Sequence, residues 1–354
     1  MRTYLDHNAT SPLRPQVKAA MTAAMEVAGN PSSVHGEGRA ARKLMDDARE
    51  ALAFKLGCLP PMITFTSGGT EANNMALRGV RIERRLVSAI EHPSVLSSAT
   101  ATIPVDEQGR VDLTALEKIL VGPKALVSVM LANNETGIIQ DIKAIAEVIH
   151  KAGHFLHVDA VQAFGKVPVN FGMLGVDLLT VAAHKVGGPK GIGALVIRDG
   201  LVVEPLLNGG GQELRRRPGT ENIMAIAGFG ALAALENIDC GALTDQLQSG
   251  LHGATIFSNK SPRLRNTTCF AMPDMKADTA LMNYDLEGIA VSSGSACSSG
   301  KVARSHVLEA MGVAPEISAR AIRVSLGWNT TEQDINHFIA VTRKLTARAK
   351  LRAA

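Results

Sequence analysis

The sequence predicts an α/β protein built on a mainly parallel sheet, followed by a smaller α+β unit. Two observations carry this reading. Short apolar runs alternate with stretches of helical spacing through the first two thirds of the chain, and the residues able to do chemistry follow those runs. Such alternation implies parallel strands joined by crossover helices that cover both faces of the sheet. Ligands of such sheets gather at the carboxyl ends of strands.

Taken in order, the strand candidates are Ile63–Thr66, 86–90, 125–132, Phe155–Asp159, Leu178–Ala182 and Gly193–Ile197. Ile142, Ile145 and Ile149 share one face at helical spacing between two of them. A long helical stretch over 221–251 leaves the sheet. Its apolar part, 223–235, is broken by Gly228 and Gly230 and reads as a buried helix too short to span a membrane. Further strands are expected over 266–272, 288–292 and 321–326. The last helix is expected to open at Thr330, with Gln333 completing a capping box and Ile335, Phe338 and Ile339 on one face. No internal repeat or low-complexity linker is visible.

At 354 residues the chain is long enough for two domains. A hydrophobic content of 46% with 20% charged residues is that of a soluble globular protein, and 3% aromatics leave an aliphatic, alanine-rich core. A net charge of +4 is too small for a nucleic-acid binder, and the one tight basic run, Arg215 to Arg217, reads as solvated surface. The first residues lack the apolar stretch of a signal peptide. None of the four cysteines forms a C-x-x-C pair, and their spacings suggest no disulfide framework, which fits a reducing cytoplasm. Cys58 and Cys269 lie in apolar settings and read as packing residues; Cys240 carries no signal.

The segment 177–198 places Lys185 after an apolar run and before a glycine-rich turn. A partly desolvated lysine amine loses its proton readily and can form a Schiff base. Asp159 ends another apolar run, with Gln162 just beyond, where a pyridinium nitrogen would find its carboxylate. Lysine plus carboxylate is the protein's half of pyridoxal phosphate chemistry. TSGGTEANN, 66–74, is a glycine turn between strand and helix, suited to an anion but also to an ordinary connection; it lacks the ending of a Walker loop. His92 follows a strand and could stack on a ring and shuttle protons. Arg323 could fork onto a carboxylate or form a structural ion pair. Cys297 lies among serines and glycines in SSGSACSSGK, 292–301, a loop that would expose its thiol. His150, His154 and His157 are not expected to bind metal, because Gly153 ends the helix before His154.

These residues resemble the cysteine desulfurases of the NifS/IscS type, in the class V aminotransferase group. The resemblance runs nearly end to end, through YLDHNAT (4–10), NPSSVHGEGR (30–39), TSGGTEANN (66–74), ANNETG (132–137), HVDAVQ (157–162), AHKVGGPKGIGAL (183–195), RPGT (217–220) and SSGSACSSGK (292–301). It implies a homodimer of fold-type-I subunits in the cytoplasm. A large domain over 13–241 would bind pyridoxal 5'-phosphate, and 1–12 with 242–354 would form a small domain carrying the cysteine loop. By resemblance, Lys185 holds the coenzyme, Asp159 pairs with its pyridine nitrogen, Gln162 and Asn134 sit near its phenolic oxygen, and His92 stacks on the ring. Gly69, Thr70 and His184 bind the phosphate, joined by Thr220 of the other subunit. Arg323, helped by Asn134, holds the carboxylate of L-cysteine. Cys297 collects the sulfur as a persulfide and passes it to an acceptor protein for iron–sulfur cluster assembly; its contact with a partner's cluster iron would be transient, and no intrinsic metal is implied. A selenocysteine lyase or an aminotransferase of the same fold is the alternative, and the thiol loop separates it from an aminotransferase. One departure stands out: Ala182 and Ala183 replace the serine and glycine usual before the histidine–lysine pair, which puts one phosphate hydrogen bond in doubt.

Overall fold

The computed structural model describes residues 2–273, 275–293 and 304–353. Cys297 lies outside the described residues. The described strands are β1 (Thr3–Tyr4), β2 (Ile63–Thr66), β3 (Arg84–Ser88), β4 (Ala101–Ile103), β5 (Ala125–Met130), β6 (Phe155–Asp159), β7 (Leu178–Ala182), β8 (Gly193–Ile197), β9 (Thr255–Ile256), β10 (Thr267–Ala271), β11 (Ile289–Ala290) and β12 (Ala321–Ser325).

Seven of them form one sheet in the order β2-β8-β7-β6-β5-β3-β4. Five neighbours, β7 through β4, pair in parallel, while β8 runs antiparallel to both β7 and β2. Six strands therefore point one way and bring their carboxyl ends to one edge. The central strands are buried along nearly their whole length and mostly apolar because both faces are covered. Alternate residues feed opposite cores: Val127, Leu179 and Val196 pack in the larger cluster, while Leu126, Leu178 and Leu195 pack in the other.

On the larger side the helices Pro15–Met25 and Gly36–Leu56 pack against Ile223–Ala233. The two glycines of this last helix permit that approach. A Cβ on Gly230 would come within 2.6 Å of Ala48, and one on Gly228 within 2.7 Å of Met21 and Pro189.

A second unit carries a three-stranded antiparallel sheet, β12-β10-β9, and the short parallel pair β1-β11. Its core takes Leu5 from the start of the chain together with Phe270, Tyr284, Ile335 and Phe338. Tyr284 and Phe338 stack with ring centroids 5.2 Å apart, and Phe270 meets Phe338 edge-on at 6.3 Å.

The structure differs from the sequence reading at several edges. The expected strand at 86–90 begins two residues earlier, and β4 carries no apolar run long enough to signal it. The stretch 221–251 is two helices, Ile223–Ala233 and Gly241–Ser249; Ile238 N–H turns away to bond Gly165, and the Asp239 carboxylate accepts from Gly241 N–H. The capping box of the last helix, Glu332–Ala353, is built one residue later than expected. Thr331 and Asp334 exchange side-chain-to-backbone bonds of 2.9 and 3.3 Å, leaving Thr330 to accept from Gly327. The basic run is only partly solvated: Arg216 donates to the Pro61 carbonyl and Arg217 pairs with Glu71 at 2.9 Å.

Phe338→Ala should lower the unfolding free energy by about 3–5 kcal/mol through the cavity left beside the two remaining rings, Phe270 and Tyr284. Chemical denaturation followed by circular dichroism checks this, and an unchanged midpoint would remove Phe338 from the core of the second unit.

Candidate active site

A cavity of about 450 Å³ opens at the edge where the six strands end. The turns that follow β2, β3, β5, β6 and β7 supply Gly69 and Thr70, His92, Asn134, Asp159 with Gln162, and His184 with Lys185. Asn8 and Ala9 reach it from the start of the chain, and Ser292 and Arg323 from the second unit. Nine of the residues singled out in the sequence thus line one space. Thr220 is exposed and does not line it.

Lys185 lies in a tight turn, His184–Val186, closed by Gly187 at φ 90°. Its Nζ donates to the carbonyls of Asn8 at 2.8 Å and Ala9 at 3.0 Å. Burial, then the charge of Arg323, pushes the amine down to about 8, against the pull of Asp6 and Asp159. Asp159 is fixed at both oxygens: Oδ1 accepts from Val161 N–H at 2.9 Å and Oδ2 from Asn73 at 2.7 Å. The same Asn73 amide donates to Ser94 Oγ at 3.0 Å, and Ser94 Oγ lies 2.8 Å from His92 Nδ1. Ser94 N–H also donates to Nδ1. That nitrogen therefore carries a lone pair, and the neutral ring keeps its proton on Nε2. Burial, helped by Lys185 and His306, lowers the pKa of His92 despite the attraction of Asp159.

Beside His92, Glu91 is fully buried and pushed up to about 8 by burial, with Asp159 adding to the rise. It accepts from Ser88 Oγ at 2.5 Å and Met130 N–H at 2.7 Å. Asp159, by contrast, has both of its oxygens hydrogen-bonded by the chain. His184 is pushed down to about 4 by burial and by Lys185 and Lys190, and it faces Thr10 at 3.3 Å.

The helix Gly69–Gly79 starts at the cavity wall, where its first N–H groups have no helical partner. The two glycines before it serve different ends. Gly68 takes φ 154° and a Cβ there would meet open space, whereas a Cβ on Gly69 would strike Val161 at 2.7 Å. Gly68 is needed for backbone shape and Gly69 for packing. Ala182, fully buried at the end of β7, lies 3.8 Å from that same Cβ position.

Arg323 combines the two roles left open by its sequence. Its Nη2 pairs with Asp6 at 2.7 Å and its Nη1 donates to the Asn134 carbonyl at 3.0 Å, while Nε is buried without a partner among the described residues. An orphaned guanidinium nitrogen on a cavity wall suits a further acceptor.

Composition gave no hint of Asn8, Asn73 and Ser94, which line the cavity while holding its other groups, or of Lys166, which stands behind the lining. The signal for Asn8 and Asn73 was their place in YLDHNAT and TSGGTEANN, for Ser94 its place two residues after His92, and for Lys166 the four-residue step from Gln162. The three described thiols are poor nucleophiles: burial pushes Cys58 and Cys240 up to about 11 and Cys269 higher still. The histidines at 150, 154 and 157 have separate partners, Asp177, Leu120 and Thr180, and no metal-binding group of three such ligands occurs among the described residues. No helix among them is long and apolar enough to cross a membrane.

The model of the aminotransferase class-V family matches residues 3–338. The chain is 39% identical to the cysteine desulfurase IscS of Dictyoglomus turgidum, over 98% of this chain and 95% of that protein. Among solved structures, a NifS-like protein from Rickettsia africae superimposes with a TM-score of 0.91 at 38% identity, covering 97% of this chain and 99% of the other. A structure described as SspA in complex with cysteine matches at 0.81 and 30% identity, over 92% and 98%. The chain belongs to the class-V aminotransferase family, whose members depend on pyridoxal phosphate. Within that family it falls among the cysteine desulfurases of the NifS/IscS type.

Because the Lys185 amine is neutral above about pH 8, its reductive alkylation by a small aldehyde should rise through that pH in the coenzyme-free protein. Arg323→Met removes a neighbouring cation and should move the midpoint upward. Peptide mass spectrometry across the pH range checks both, and a midpoint near that of a free lysine would contradict the burial of this amine.

Proposed function

We propose that this protein removes sulfur from L-cysteine, releasing L-alanine and leaving a persulfide on Cys297. The observation that carries the reading is the convergence of Lys185, Asp159, His92 and Arg323 on one cavity at the strand ends. The residues suit pyridoxal 5'-phosphate on their own chemistry. A depressed lysine amine suits an aldehyde, a doubly anchored carboxylate suits a pyridinium N–H, and a helix start beside Thr70 and His184 suits a phosphate. A cavity of about 450 Å³ is within the range of small-molecule sites.

Lys185 would hold the coenzyme, Asp159 and His92 would fix its ring, Gln162 and Asn134 would lie toward its phenolic oxygen, and Gly69, Thr70 and His184 would bind its phosphate. Thr220 would complete that phosphate site in the other subunit of a homodimer. When bound, pyridoxal phosphate supplies an electron sink for charge developing at the substrate's α-carbon. The chain's own residues do the rest. Asp159 keeps a proton on the facing nitrogen, because its charge is held by Asn73 and the Val161 N–H. Arg323 orients the substrate carboxylate through its unpartnered Nε. Lys185, whose amine gives up its proton from about pH 8 upward, takes the α-proton onto Nζ. Cys297 Sγ, as its thiolate, attacks the substrate sulfur; the carbon–sulfur bond breaks with its electron pair passing to the carbon, which takes a proton and leaves in L-alanine, while a sulfur–sulfur bond forms on the enzyme.

We further read 13–241 as the coenzyme-binding domain and 1–12 with 242–354 as a smaller domain that carries the thiol. The persulfide would pass to an acceptor protein in the cytoplasm for iron–sulfur cluster assembly.

Cys297→Ser should retain bound coenzyme yet form no alanine from L-cysteine in the presence of a thiol reductant; normal alanine output would rule out the covalent role. Ala182→Ser would add a hydroxyl beside the helix start at Gly69. It should slow loss of pyridoxal phosphate on dialysis, followed by absorbance, and an unchanged loss rate would show that the missing hydroxyl is not felt.

A further inference from the structure

Lys166 is a buried lysine that does not line the cavity. Its Nζ donates to two side-chain carbonyls, Gln162 Oε1 and Asn8 Oδ1, both at 2.8 Å, and makes no ion pair among the described residues. Burial, with Lys185 and Arg323 adding to it, pushes this amine well below the ordinary lysine range; Cys240 acts weakly the other way. Two acceptors face its N–H groups, and both are engaged.

The helical turn after Asp159 explains the contact. Phe164 N–H bonds the Ala160 carbonyl and Val167 N–H that of Ala163, which puts positions 162 and 166 on one side. Gln162 is thereby gripped at both ends of its amide. Oε1 accepts from Lys166, while Nε2 donates to the Asn8 carbonyl at 3.0 Å. A flipped amide would set Oε1 against the Asn8 carbonyl and turn Nε2 toward the Lys166 N–H. An amide nitrogen has two hydrogens. One is engaged, and the second is left for the cavity that Gln162 lines.

We propose that Lys166 is a positioning residue: it locks the Gln162 amide so that an N–H, and not a carbonyl oxygen, faces the coenzyme's ring oxygen. The inference rests on the reading that pyridoxal phosphate binds here with that oxygen toward Gln162. An N–H donated to the oxygen draws charge off it and weakens its hold on a proton at Lys185 Nζ. Releasing the amide should therefore let Lys185 Nζ keep its proton to higher pH.

The test is a spectroscopic titration of the holoenzyme, following the pH midpoint of the coenzyme's visible absorbance in the parent, Gln162→Ala, Lys166→Met and the double variant. Both single variants are expected to raise the midpoint by about one pH unit, the value of one lost hydrogen bond. The double variant should match Gln162→Ala alone. No shift in Gln162→Ala would overturn the placement of the ring oxygen. A shift in Gln162→Ala with none in Lys166→Met would overturn the positioning role and leave that placement intact. Additive shifts in the double variant would overturn it too, by showing that Lys166 acts through Asn8. Should Lys166→Met fail to fold, Lys166→Gln, which keeps a polar uncharged group in the site, takes its place in the same cycle.

Discussion

The cavity wall hangs on one residue, Asn8. Its carbonyl accepts from both Gln162 and Lys185, its side-chain oxygen from Lys166 and Asn266, and its amide donates to Thr267 and the Asn134 carbonyl. Its own N–H reaches Ser325. A buried asparagine satisfied at every atom is rigid, since each displaced group would be left without water or partner. The segment around it begins in the core of the second unit, at Leu5, and ends on the lysine turn, where Ser11 N–H donates to the His184 carbonyl and Ser11 Oγ to the Lys185 carbonyl. Sheet ends and second unit are thereby registered against each other through a single polar knot.

Charge is distributed around that knot by burial. Three cationic side chains, Lys185, Lys166 and Arg323, face few anions, and the two lysines respond by giving up protons more easily. Arginine cannot do so, and it is Arg323 that has the direct ion pair, with Asp6. Behind His92, the buried Glu91 gains a proton more easily, while Asp159 has both oxygens anchored by hydrogen bonds. An amine that gives up its proton more easily and a carboxyl that takes one more easily thus arise from one fold by differences in surroundings.

Much of this was legible in the sequence. Strands that are buried on both faces are mostly apolar, so β5 to β8 announced themselves, and residues at their ends could be placed without a structure. Lys185, Asp159 and Arg323 were visible because charged residues next to apolar runs are rare. The supporting shell was not, since Asn8, Asn73 and Ser94 are ordinary polar residues whose meaning comes from contacts up to 317 positions apart. Lys166 was missed for the same reason: a lysine after a turn reads as surface until the turn is seen to point inward. Short or irregular elements, such as β4 and the break after Ala233, escaped because no periodicity marks them. Cys297 was singled out from loop composition alone and lies outside the described residues.

The reversed strand β8 has a consequence for the reactive lysine. Because it returns beside β7, residues 183–192 form a hairpin loop whose two stems are neighbouring ladders, about 4.8 Å apart. Elsewhere along this edge each turn leads off into a helix; here both ends are stitched to the sheet. The main chain at Lys185 is thus clamped from two sides, and any reach the amine has must come from rotation about its four carbon–carbon bonds. Exchange of one bound partner for another at that nitrogen can then proceed without the scaffold giving way.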